Sequence, residues 1–299
     1  MIVEIIDPVF EQYVNRDAEL DVLHAGQTFI EGPVWFAQDR LLLFSDIPQD
    51  KILRWRESDG EVDVYRLPSG FANGNSLDLQ GRLLTCEHGE RRVTRTEHDG
   101  TITVIADRFD GKRFDSPNDV VAKSDGSVWF TDPSYGIIVE GLGTLADSEI
   151  GSCNVYRVDP INGLVEMMAT GFDMPNGLAF SADESLLYVA DSGRSHGDDR
   201  PHNIRVYAVA ADGTLSGGDV LIDVEPGYPD GIRLDTDGNL WVGVNDGVHC
   251  YSPRGTLLGK IRTPETAANL CFGGSALDEL FITACSTLYR IKLKIAGVR

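Results

Sequence analysis

No apolar run in this 299-residue chain approaches the roughly 20 residues that a membrane-crossing helix needs. A helical membrane span is therefore excluded. The amino terminus, MIVEIIDPVFEQYVNRD, lacks the basic residues and long apolar stretch of a secretory leader and carries Glu4 and Asp7 instead, so the cytoplasm is the expected location. Cysteine is sparse: Cys86, Cys153, Cys250, Cys271 and Cys285 are odd in number and widely spaced. With no CxxC pair, zinc-ribbon and dithiol chemistry find no support, and the five read as buried thiols. Positive charge is scarce too, with 26 Lys and Arg against 47 Asp and Glu and a net charge of -21. Such a chain repels phosphate backbones, so nucleic acid is not an expected partner, while cations are welcome. No linker rich in Pro, Gly or Ser divides the sequence, and one domain over residues 1–299 is expected. Ser134, Ser192 and Ser195 lack a GxSxG setting. The GLG at Gly141 lacks the strand-turn-helix context of a dinucleotide site.

What is present is a repeat. EGPVWFAQDRLLLFSDIP from Glu31, ANGNSLDLQGRLLTCEHG from Ala72, SPNDVVAKSDGSVWFTDPS from Ser116, PNGLAFSADESLLYVADS from Pro175 and YPDGIRLDTDGNLWVGVND from Tyr228 share one pattern. Each runs from a polar residue through a short apolar alternation and a turn to a β-branched or aromatic run. Seven residues beyond Glu31, Asn73, Asn118, Asn176 and Asp230 lie Gln38, Gln80, Asp125, Asp183 and Asp237, each the first residue of the turn. Asp237-Gly238 is typical, a pair that tolerates positive φ. A sixth unit, from Ala267, has a longer turn and places Asn269 about one residue out of register. Two further strand-like runs follow the hairpins, as in KILRW with EVDVYRL, or NIRVYAV with DVLIDV.

Four strands per unit at intervals of 42, 45, 58 and 54 residues predict an all-β fold, a six-bladed β-propeller with four-stranded antiparallel blades. A sandwich of hairpins is the competing architecture. The segment from about Ala18 to Ile30 precedes the first unit, and the sixth is short at its carboxyl end. Pairing the two would close the ring with strands from both termini and remove an exposed edge. The longer intervals mark insertions at residues 134–151 and 192–203, both after the second strand of a unit. They are candidate lids on one face.

In a propeller, equivalent positions of the innermost strands converge on the central channel. Here they are Glu31, Asn73, Asn118, Asn176 and Asp230: all carry side-chain oxygen, and none is Lys or Arg. Two carboxylates brought together in a low-dielectric channel repel unless a cation neutralises them. Oxygen donors of mixed charge suit one hard divalent ion, calcium or magnesium first, then manganese or iron(II), with zinc the poorer fit. Individually, Asn73-Gly74, Asn176-Gly177 and Asp230-Gly231 also read as ordinary turn pairs. Their recurrence in one frame, with Glu31 and Asn118, favours the metal.

The stretches EGPVWF, SPNDVV, MPNGLAFSADESLLYVADS and YPDGIRLDTDGNLWVG resemble the gluconolactonase branch of the senescence marker protein, gluconolactonase and luciferin-regenerating enzyme family, whose members include regucalcin-like proteins. CEHGERRVTRTEHDG fits the same branch, and the resemblance covers nearly the whole chain. It implies a six-bladed propeller with a divalent ion held by residues matching Glu31, Asn176 and Asp230, and with Asn118 as ligand or substrate contact. It also implies that Asp230 serves as both metal ligand and general base. The sugar is not implied, because substrate-contacting loops vary across the family.

Such a site suits hydrolysis of a sugar lactone, with the ion polarising the carbonyl or a water molecule and Asp230 taking the proton. Glu31 is then an anionic ligand. His88, at the end of its unit's second strand near the positions of Asp132, Asp191 and Asn245, is a candidate to orient substrate or shuttle a proton; a strand-end histidine bonded to a neighbouring loop is the competing reading. Tyr135, on the first insertion, is a candidate sugar contact, against the simpler reading that it packs beneath that insertion. Two other functions stay open: a non-catalytic calcium-binding propeller, and a hydrolase of an organophosphate or other ester. Nothing in the sequence fixes the oligomeric state.

Overall fold

A computed structural model describes residues 1–298. Within each repeat the alternating pattern forms an antiparallel hairpin, and the two later runs extend it outward. Blade one orders Ile30–Phe36, Leu41–Asp46, Lys51–Arg56 and Val62–Arg66 from the channel to the rim. Blades two to four repeat this plan from Ala72–Leu77, Val120–Ala122 and Pro175–Phe180. Blade five begins at Ile232–Leu234 and blade six at Ala267–Gly273. The innermost strands touch in cyclic order, and that of blade six meets that of blade one. The fold is a six-bladed β-propeller.

Both termini contribute to closure. Asp21–His24 pairs with the carboxyl-terminal strand Thr287–Lys292 and forms the rim of blade six, so the ring is closed as the sequence predicts. An unforeseen strand, Val3–Ile5, adds a fifth member to blade five by pairing with Leu257–Arg262. The short helix after it, Pro8–Gln12, begins at Asp7, whose side chain accepts from the Val9 N–H. It delivers Phe10, fully buried, against Trp241.

Among the described residues the core divides into six clusters, one between each pair of neighbouring blades. Trp35 and Trp55 of blade one meet Phe281 of blade six, for example, and Trp129 of blade three meets Phe180 of blade four. Each fully buried Leu, Ile or Phe stabilises the fold by roughly 1.5–3 kcal/mol, so the blades are held to one another by apolar contact. The hairpin turn at Asp237-Gly238 forms as its sequence demands. Gly238 has φ +80°, and Asp235 Oδ1 accepts from the Asp237 and Asn239 N–H groups.

The expectation of uniformly buried thiols needs correction. Cys86, Cys250 and Cys271 are buried, but Cys153 and Cys285 are half-buried, because Cys153 is the first residue of its strand and Cys285 follows the last residue of Glu279–Ala284, where loops replace blade packing. No helix among the described residues is long and apolar enough to cross a membrane.

Candidate active site

The ring position lies at the start of the innermost strand in blades one, two, four and six, where a bulge interrupts pairing with the second strand, and two residues ahead of it in blades three and five. Backbone bonds then link neighbouring blades: Gly74 N–H donates to the Asn118 carbonyl at 2.8 Å, Gly177 N–H to that of Asp230 at 3.2 Å and Gly231 N–H to that of Ala268 at 2.9 Å. Second-strand hydroxyls complete the support, Ser45 donating to the Asn73 carbonyl and Thr131 to that of Asn176, both at 2.8 Å. Asn73, Asn118, Asn176 and Asp230 are therefore each held at their own carbonyl.

Glu31, Asn73, Asn118 and Asn176 are all buried, at 4–5% exposure. Glu31 Oε2 accepts from the Gly32 N–H at 2.7 Å, and the Asn269 side chain also hydrogen-bonds this carboxylate. Asp230 is half-buried as a residue, since part of it borders the channel, yet its Oδ1 is fully enclosed and has no hydrogen-bond partner. The Asn176 side chain bonds the Asp230 carboxylate. Burial, with the negative charge of Asp119 added, pushes the Glu31 carboxyl up to about 7. Burial and the charge of Glu31 hold Asp230 well above the usual carboxylate range. Asp230 thus feels the charge of Glu31, and burial disfavours the ionised form of both acids.

The side chains of Glu31, Asn118, Asn176 and Asp230 offer oxygen donors. Among the described residues no three His, Cys, Asp or Glu side chains gather as a metal-holding group, so a cation at this ring would need the asparagine oxygens beside the two acids. The unsatisfied Asp230 Oδ1 and the mixed carboxylate and amide oxygens fit a hard divalent ion.

Two residues at this site, Asp119 and Arg233, lay outside the sequence reading, and a third, Asn269, was expected there only as a sixth-unit residue out of register. Asp119, fully buried, stands where blades one, two, four and five have Gly32, Gly74, Gly177 and Gly231. Asn269 occupies the same place in blade six, which makes Ala268 the true equivalent of Glu31 and accounts for the one-residue offset. The exception to a repeated glycine was the available signal for both. Arg233, three residues past the ring position, donates from Nη1 to Asp119 Oδ2 at 3.3 Å.

The insertions rise from the face on which the ring lies, because second strands end where first strands begin. The first carries the short helix Tyr135–Ile138 and the second Gly193–His196. They meet: the Tyr135 hydroxyl lies 3.0 Å from Ser195 Oγ, which is 2.8 Å from His196 Nδ1, and the Tyr135 and His196 rings are 5.4 Å apart. Tyr135 is half-buried and feels the charge of Asp230, which together with burial raises its phenol. Tyr228, on the strand-free approach to Asp230, is raised for the same two reasons.

His88 is buried at 1% exposure. Its Nδ1 lies 3.0 Å from the Leu142 carbonyl and therefore donates, which leaves Nε2 to accept from Asn73 Nδ2 at 3.2 Å. Both nitrogens are occupied, and burial lowers the imidazole to about 4. His88 is thus a neutral strut between the ring and the first insertion. It also sits one residue beyond the strand-end position: Glu87 is the equivalent of Asp132 and Asp191. Asp132 and Asp191 each accept from the two backbone N–H groups ahead of their ring residue. A groove between blades two and three, bordered by Leu79, Val104 and Pro160, contains none of the ring residues.

Residues 29–286 match the model of the SMP-30/Gluconolactonase/LRE-like region. A gluconolactonase from Zymomonas mobilis is 31% identical, with 97% of this chain and 85% of that protein aligned. A pentonolactonase from Haloferax volcanii is 30% identical over 85% of this chain and 80% of its own. The solved structure of a gluconolactonase from Xanthomonas campestris superposes with a TM-score of 0.90 at 38% identity, covering 97% of this chain and 94% of that one. The chain belongs to the SMP-30/gluconolactonase/luciferin-regenerating enzyme family.

Proposed function

We propose that this protein hydrolyses a sugar lactone at the lidded end of its channel, with Glu31, Asn118, Asn176 and Asp230 holding one divalent ion, calcium first among the candidates. The observation that carries the proposal is the buried, unpartnered Oδ1 of Asp230 beside a second buried acid, Glu31, and a ring of amide side chains. Relatives with the activities gluconolactonase and pentonolactonase supply the substrate class. When bound, the ion would supply positive charge that lets both acids ionise and would polarise the lactone carbonyl.

The chain's own residues do the remainder. Asp230, held by Asn176 and by the Gly177 N–H on its carbonyl, accepts a proton from the water that attacks the carbonyl carbon. The ring C–O bond then breaks, and Asp230 returns the proton to the departing ring oxygen, which leaves a hydroxy acid. Glu31 remains an anionic ligand throughout. Asn118 presents its side chain from a backbone bonded at both its N–H, to the Thr131 carbonyl, and its C=O, so it can hold the ion or the substrate without reorganisation. Tyr135 contacts the sugar from the first insertion. His88 acts through Asn73 and Leu142 by keeping that insertion seated.

A pH-indicator assay over five- and six-membered aldonolactones, on metal-stripped protein reloaded ion by ion, tests this reading. Turnover that disappears on stripping and returns with calcium or another divalent ion is the expected result. No turnover on any lactone would favour a non-catalytic calcium-binding propeller, and turnover only of an organophosphate or acyclic ester would reassign the bond.

A further inference from the structure

Three residues beyond the ring position, five blades carry Val34, Ser76, Val121, Ala179 and Cys271, all uncharged. Blade five carries Arg233. Its guanidinium donates to its neighbour's carbonyl, Ile232 O, at 2.6 Å and to Asp119 Oδ2 at 3.3 Å. Asp119 belongs to blade three and also bonds the backbone of Leu178 in blade four, so the pair joins three blades. The Asp119 side chain is 1% exposed, and its Oδ1 is held by the Val120 N–H at 2.9 Å. Both partners belong electrostatically to the ring: the negative charge of Asp119 is felt at Glu31 and Asp230, and the positive charge of Arg233 at Glu31.

We infer that Arg233 and Asp119 set the charge of the channel site, so that Glu31, Asp119, Asp230 and Arg233 together present two net negative charges and select a divalent over a trivalent cation. This rests on the reading that the ring holds a cation, and it adds a reason for the ion's charge that the ring residues alone do not give. Without Arg233 the set would carry three negative charges; without Asp119, one. Charges this close, sheltered from water, interact several times more strongly than exposed ones, so each change alters ion preference measurably. Arg233 and Asp119 are positioning residues in this account, since neither is proposed to touch the ion.

Calorimetric titration of the stripped full-length protein with Ca2+ and with Tb3+, at one pH and ionic strength, tests the inference without any activity readout. Arg233→Met should raise the Tb3+ to Ca2+ affinity ratio by roughly tenfold or more. Asp119→Asn should lower that ratio and weaken Ca2+ binding. The double variant, which restores two negative charges, should return the ratio to within about threefold of the parent. Arg233→Lys keeps the charge and should keep the ratio. A ratio unmoved in Arg233→Met and Asp119→Asn, with Ca2+ binding intact in the parent, overturns this inference and leaves the lactonase reading standing. Should Arg233→Met fail to fold, Asp119→Asn still decides, because a rise in its ratio contradicts the charge count. A parent that binds neither ion overturns the cation site itself, and the inference with it.

Discussion

Gly177 lies against the main chain of Asp230. Its N–H donates to the Asp230 carbonyl, and a Cβ at this position would come within 2.3 Å of that oxygen and 2.8 Å of Gly231 Cα. Neither obstacle is a side chain that can rotate away. Gly177→Ala should therefore push blade five outward and misplace Asp230 while leaving the rims of the blades in place. The expected result is a loss of lactone turnover of about a hundredfold, since misplacement by 1 Å costs on that order, accompanied by a lowered melting temperature. Unchanged turnover would show that Asp230 does not depend on this contact.

The contact between the insertions makes a separate prediction. Tyr135→Phe and Ser195→Ala each remove the 3.0 Å hydroxyl pair that joins them. A single hydrogen bond of this kind contributes about 0.5–1.5 kcal/mol, so each variant should raise KM by roughly two- to tenfold. Because both delete the same bond, the double variant should be little worse than either single one. Additive effects in a double-mutant cycle would mean that Tyr135 and Ser195 act separately.

The acids of the ring predict a pH dependence. Glu31 is raised from 4.5 to about 7 by burial, with the charge of Asp119 acting in the same direction, so the folded metal-free protein disfavours its ionised form. Its contribution to stability is full below about 4.5 and is lost as pH rises through about 7. A cation that binds the ionised form offsets the loss and releases protons as it binds. The rise in melting temperature on adding calcium should accordingly be larger at about pH 8 than at about pH 5.5. An equal rise at both would remove Glu31 from the cation site.

Stability at the amino terminus turns on Phe10. It is fully buried, its ring lies 5.9 Å from that of Trp241, and a Cβ on Gly259 would come within 2.1 Å of it. Phe10→Ala should cost about 3–5 kcal/mol and release the strand Val3–Ile5 from blade five, which amide exchange at Leu258–Arg262 would report. Slow exchange there in the variant would show that the strand holds without its anchor.

Much of the fold could be read from spacing because a propeller repeats one hairpin, and each hairpin carries its own turn residues and alternation. The fifth strand of blade five could not: VEI is too short to signal pairing, and its partner is about 260 residues away. At the ring, Glu31, Asn118, Asn176 and Asp230 were legible because one frame aligned them. Asp119 and Arg233 were not, since they break the pattern at positions where other blades have glycine or small uncharged side chains, and Asn269 was visible only as a residue one place out of register. The roles of His88 and Tyr135 depend on what the insertions touch, and loop contacts of this kind leave no periodic trace. That His88 has both nitrogens bonded emerges only once Leu142 is seen above it.

The central claim is that lactone hydrolysis depends on the Asp230 carboxylate at the channel ring. Its most direct test is the rate of proton release from aldonolactones by the parent and by Asp230→Asn, measured side by side with circular dichroism to confirm the fold. The account predicts hydrolysis by the parent well above the spontaneous rate and a fall of about 10²–10⁴ in kcat for Asp230→Asn, with the propeller intact. A folded Asp230→Asn protein that hydrolyses the lactone as fast as the parent would contradict it.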